Sequence, residues 1–96
     1  MLVLVAYDVS TVTRAGRSRL RKVARICNKW GRSVQKSVFE CEVDAQQYRW
    51  MTEELKDVIC EKEDNIRFYS LGNRYENRIM ILGNGRKSWN QENFIF

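Results

Sequence analysis

The chain has 96 residues, a net charge of +5 at neutral pH, three cysteines, no proline and no histidine. A single domain of this size buries only about 60–65% of its unfolded surface, so it can stand alone but gains from association. Without histidine there is no Ser-His-Asp triad, no Cys-His pair and no imidazole base. The three separated cysteines, Cys27, Cys41 and Cys60, read as reduced core residues rather than as a zinc site.

Residues 2–9 read as a strand with Leu2, Leu4 and Ala6 on one face and Val3, Val5 and Tyr7 on the other. Both faces are apolar, which predicts cover on both sides. Asp8 ends that run early, before it reaches the length of a signal-peptide core, and no later stretch approaches a membrane span. The expectation is a cytoplasmic protein that meets no membrane.

Ser10 to Ala15 reads as a polar loop, and a helix follows from about Gly16 to Trp30, with Gly31 as its stop. Leu20, Val23, Ala24, Cys27 and Trp30 recur at helical spacing. At about 100° per residue, Arg17, Arg21, Lys22, Arg25 and Lys29 fall on the opposite side. Between Asp8 and Glu40 lie nine of the 17 basic residues and none of the 12 acidic ones. Like charges one turn apart repel, so a face that accepts this repulsion without a compensating glutamate points to phosphates.

Residues 32–43 are rich in β-formers and too long for one steady strand, which predicts two antiparallel strands turning near Lys36 to Phe39. Asp44 then caps a second helix, with Gln47 completing a capping-box pattern. Tyr48, Met51, Leu55, Val58 and Ile59 form its apolar stripe, and its outer face mixes Glu53, Glu54, Lys56 and Asp57 as an ordinary solvated helix does. Asn65 to Leu71 reads as a fourth strand and Arg78 to Leu82 as a short fifth. The order is that of an α+β, ferredoxin-like βαββαβ domain over residues 1–82 with an additional C-terminal strand. The tail over 83–96 ends in the apolar Phe94-Ile95-Phe96 and is expected to dock on a partner. Two helices cover one face of such a sheet, so the apolar second face predicts a homodimer packed sheet to sheet. The basic sides of the two leading helices are then expected to form one continuous cationic track.

Three segments carry a family likeness: Val5-Ala6-Tyr7-Asp8-Val9-Ser10, Arg19-Leu20-Arg21-Lys22-Val23-Ala24, and Gly31 to Cys41 with its Gln35-Lys36-Ser37-Val38-Phe39-Glu40 run. With Asp44 and Ile66-Arg67-Phe68-Tyr69, the sequence resembles the CRISPR-associated adaptation family, the small ferredoxin-like partner of the spacer integrase, over about residues 1–82. The resemblance implies a homodimer whose first-strand aspartates share a magnesium ion across the twofold axis. It implies a metal-dependent endonuclease acting on double-stranded DNA or single-stranded RNA, and a scaffold that bridges integrase subunits along a duplex.

Carried over, Asp8 is the catalytic and metal-binding residue, with Tyr7 and Phe39 supporting the site. Arg19, Arg21 and Lys22 are the family-derived backbone contacts. Arg14, Arg17, Arg25, Lys29 and Arg32 join them as nucleic-acid-binding candidates from the charge pattern. The family often has arginine two positions before the glutamine, where this chain has Ser33, with Arg32 one place earlier, and an aromatic residue after it, where Lys36 stands. A related ferredoxin-like toxin ribonuclease is the alternative. An RNA-recognition module ranks last, because no stacking aromatic motif is present.

Overall fold

A computed structural model describes residues 1–83 of the chain. Its elements run β1 (Leu2–Asp8), α1 (Arg14–Trp30), β2 (Arg32–Gln35), β3 (Val38–Glu42), α2 (Ala45–Val58) and β4 (Asn65–Gly72), followed by a short 3-10 turn over Glu76–Arg78. The four strands form one sheet in the order β2-β3-β1-β4, and every pairing is antiparallel. This is the expected ferredoxin-like arrangement. Among the described residues no helix is long and apolar enough to cross a membrane.

Alternation along β1 sorts its side chains. Val3, Val5 and Tyr7 enter a core with Val23 and Cys27 of α1, Phe39 and Cys41 of β3, and Met51 and Leu55 of α2. Leu4, Ala6 and Asp8 point the other way and grow progressively more exposed. The apolar face of each helix therefore lies against a single side of the sheet.

α1 starts two residues earlier than expected, because Thr13 caps it by accepting from the Gly16 amide at 3.0 Å. Gly16 is not a boundary but a close approach: a Cβ there would sit 2.0 Å from the Ser10 carbonyl oxygen. At the other end Gly31 stands in extended backbone, and a Cβ would lie 2.2 Å from the Glu40 carbonyl oxygen. α2 carries the expected capping box, with Asp44 accepting from the Gln47 amide at 2.7 Å and the Gln47 side chain accepting from the Asp44 amide at 2.9 Å.

The β2–β3 hairpin turns through Lys36 and Ser37, with Ser37 in the left-handed region at φ 63°. Its carbonyl accepts from the Tyr7 amide at 3.0 Å, tying the turn to β1.

The expected fifth strand over 78–82 does not form. Arg78 belongs to the 3-10 turn, and only Ile81 makes a single isolated bridge. All four strands are already ordered without it, and one edge is held by β2 and the other by β4. Tyr75, just before the turn, is buried and donates to Glu42; its burial first, then that hydrogen bond and the negative charge around it, push the phenol up to about 12. The tail residues Phe94, Ile95 and Phe96 lie outside the described residues.

Candidate metal and nucleic-acid site

Asp8 is the last residue of β1 and is exposed on the sheet face that carries no helix. Antiparallel pairing sets Asn65 directly opposite it on β4, and sets Arg67 and Val38 on either side of Ala6. Ala6, Tyr7, Asp8, Asn65 and Arg67 line an open depression of about 340 Å³. None of the salt bridges among the described residues uses Asp8. A carboxylate open to solvent, with a guanidinium and an amide on the same face, can take up a cation or meet a phosphate-bearing ligand.

Tyr7 and Phe39 do not share that face. Their rings stack with centroids 6.1 Å apart inside the helix-side core, and burial pushes the Tyr7 phenol up. The stack packs behind the end of β1, on the opposite side from Asp8.

Magnesium prefers six oxygen ligands and is usually held by one or two carboxylates with water. Among the described residues no group of three or more His, Cys, Asp or Glu side chains converges. Asp8 is the carboxylate among the residues that line the depression.

The basic candidates divide into four groups. Arg14, Arg17, Arg21, Lys22 and Arg25 are exposed along α1 and take part in none of the salt bridges among the described residues. Arg17 also donates to the Thr11 carbonyl at 3.2 Å. Lys29 is held by Glu54 at 2.5 Å.

Arg19 is half-buried and tied back to the fold. Its Nε donates to Asp64 Oδ2 at 2.7 Å and its Nη2 to Oδ1 at 3.3 Å. Asp64 also accepts from the amides of Cys60 at 2.8 Å and Ser10 at 3.1 Å. The Arg19 guanidinium beside it, with those two amides, holds the Asp64 carboxyl below its usual range against the opposing effect of burial. This hub fastens the β1–α1 loop, immediately after Asp8, to the entry of β4. The helical wheel already separates Arg19 from the outward cations. What local sequence does not show is its partner, 45 residues away.

Arg32 stands on β2 directly opposite Glu40, and alternation turns both to Asp8's side of the sheet. Ser33, at the family's usual arginine position, stands opposite the core residue Phe39 and so turns to the helix side. A one-residue offset exchanges the faces of a strand.

The structure thus sets the exposed α1 cations and Asp8 on opposite sides of the sheet. Asn65 and Arg67 were missed as site candidates, because only the β1–β4 register aligns them with Asp8.

The profile of the CRISPR associated protein Cas2 family matches residues 1–79. The chain belongs to the CRISPR-associated Cas2 family. A CRISPR-associated endonuclease Cas2 from Halalkalibacterium halodurans is 47% identical over 83 residues, 86% of either chain. A CRISPR-associated endoribonuclease Cas2 from Chlorobaculum tepidum is 48% identical over 79 residues, 82% of either chain. The crystal structure of Streptococcus pyogenes Cas2 superposes with a TM-score of 0.75 at 49% identity, covering 86% of this chain and all of that one. Cas2 membership favours the CRISPR reading over the toxin ribonuclease.

Proposed function

We propose that this Cas2-family chain works in CRISPR spacer acquisition as a homodimer that binds double-stranded nucleic acid and scaffolds the integrase. The outward face of α1 supplies the grip. Five exposed cations there, Arg14, Arg17, Arg21, Lys22 and Arg25, have no acidic partner on their own helix. That unneutralised face is the observation that carries the reading.

We further propose that the chain cleaves phosphodiesters at Asp8, a reading supported by the endonuclease and endoribonuclease names of its relatives. Asp8 of each of two copies, with water, would hold a divalent ion. When bound, such an ion lowers the pKa of a ligated water and offsets phosphate charge. Arg67 sits where it would orient a phosphate, and Asn65 where it would hydrogen-bond the substrate or a water. Packing of Tyr7 on Phe39 and the Asp64 hub keep the end of β1 from moving. The apolar Leu4 and Ala6, half-buried in one chain, supply part of the contact between copies.

The test is a duplex-binding and cleavage series on the full chain, with and without magnesium. Log affinity is expected to fall with log salt by about 0.9 per phosphate neutralised on duplex DNA. Arg21→Glu with Arg25→Glu should weaken binding by about tenfold or more at low salt. Asp8→Ala should abolish metal-dependent cleavage while leaving duplex affinity within about twofold, because no phosphate-binding cation is lost. A flat salt profile would remove the grip from α1, and equal loss of binding and cleavage would make Asp8 structural.

A further inference from the structure

The outer side of the helix pair carries a surface of opposite character to the basic face. Trp50 of α2 is 48% exposed. With Trp30, Glu53, Glu54 and Asp57 it lines a hollow of about 380 Å³. Positions 50, 53, 54 and 57 share one face of α2 at helical spacing, so the aromatic ring and three carboxylates converge.

Half of this hollow already holds a cation. Lys29 Nζ lies 5.3 Å from the centroid of the Trp30 ring and 2.5 Å from Glu54 Oε2. Trp30 Nε1 donates to the other oxygen of Glu54 at 2.7 Å. An ammonium seated between an indole face and a carboxylate is the geometry of cation–π recognition. The lysine, and secondarily the indole N–H, draw the Glu54 carboxyl below its usual range.

The other half offers the same chemistry, more loosely held. Trp50 presents its indole, and among the described residues Glu53 pairs with Arg49 in an exposed contact at 3.3 Å while Asp57 takes part in no salt bridge. Exposed pairs of this kind contribute little and are readily exchanged.

We propose that this hollow binds an arginine or lysine side chain on a basic segment of a protein partner, with Trp50 as the aromatic anchor and Glu53 and Asp57 as counter-charges. The carboxylates repel phosphate, and a purely apolar partner would leave them desolvated without compensation. A cationic segment satisfies both halves of the surface. The same segment is repelled from the α1 face, so the chain's two charged surfaces would sort nucleic acid from protein.

The test titrates the full chain with a capped eight-residue peptide of alternating arginine and glycine, read by calorimetry, beside a peptide with glutamate in place of arginine. Trp50→Ala leaves net charge unchanged, so diffuse attraction is preserved while the anchor is lost. The Kd is expected to rise about tenfold. Asp57→Asn should weaken binding about threefold, and as a surface change it keeps the test decisive if Trp50→Ala does not fold. The glutamate peptide should not bind. Unchanged affinity in either folded variant would overturn the proposal. Quenching of tryptophan fluorescence by single-stranded RNA that disappears in Trp50→Ala would assign the surface to nucleic acid, and overturn it equally.

Discussion

Replacing Asp64 by asparagine keeps the shape of the side chain and removes what the site needs from it. Four N–H donors converge on two oxygens: Arg19 Nε and the Cys60 amide on Oδ2, Arg19 Nη2 and the Ser10 amide on Oδ1. Asparagine has one acceptor oxygen, so in either orientation its NH₂ group faces two donors. The Asp64 side chain is fully buried, so water cannot repair the mismatch. Unsatisfied donors and a lost charge partner in such a place together cost about 3 kcal/mol. For a domain near this size that is a fall in Tm of roughly 12–24 °C.

The assay is thermal unfolding of Asp64→Asn and the native chain by circular dichroism at one fixed protein concentration, at pH 7, 4 and 3. The folded-state pKa of Asp64 lies below its ordinary value of 3.8, so its contribution is fully present above that value and is lost as pH falls through the folded pKa. The gap between the two proteins should therefore be widest at pH 7 and close progressively below pH 4. Equal melting at pH 7, or a gap that stays constant into strong acid, would refute the reasoning. The Ser10 amide is one of the four donors, so the variant should also quicken hydrogen exchange in the loop beside Asp8.

Two further outcomes follow from packing. Gly16→Ala should destabilise by about 2 kcal/mol although alanine is the better helix former, because its Cβ would meet the Ser10 carbonyl oxygen at 2.0 Å; a Tm equal to or above the native value would contradict this. Burial pushes the Cys27 thiol up to about 12 and the Cys41 thiol to about 11, while Cys60 is only half-buried. Alkylation at pH 8 should add one adduct, at Cys60, to the native chain and three after denaturation, counted by mass spectrometry.

Local pattern carried the helices and most strands, because periodicity, Asp44 and Gln47 are all signals within a few residues of the elements they define, while the cap at Thr13 was read as loop. The Lys36–Ser37 turn was blurred by the lack of glycine or asparagine at a left-handed position. The fifth strand shrank to the single bridge at Ile81: Arg78 to Leu82 has strand-like composition, yet Arg78 is taken up by the 3-10 turn and no ladder extends beyond that bridge among the described residues. Asp8 was legible as a strand-end carboxylate. Its companions Asn65 and Arg67 were not, since the register that aligns them spans most of the chain. The ion pair of Arg19 with Asp64 was not legible either, since 45 residues separate the partners.

The sheet acts as a partition. The outward cations of α1 lie on one side of it and Asp8 on the other. On the proposed reading, loss of the carboxylate leaves the clamp in place, and a change in grip leaves the chemistry behind the strands in place. Inactive and active versions of this architecture would then look alike from the outside, distinguished only at the end of one strand.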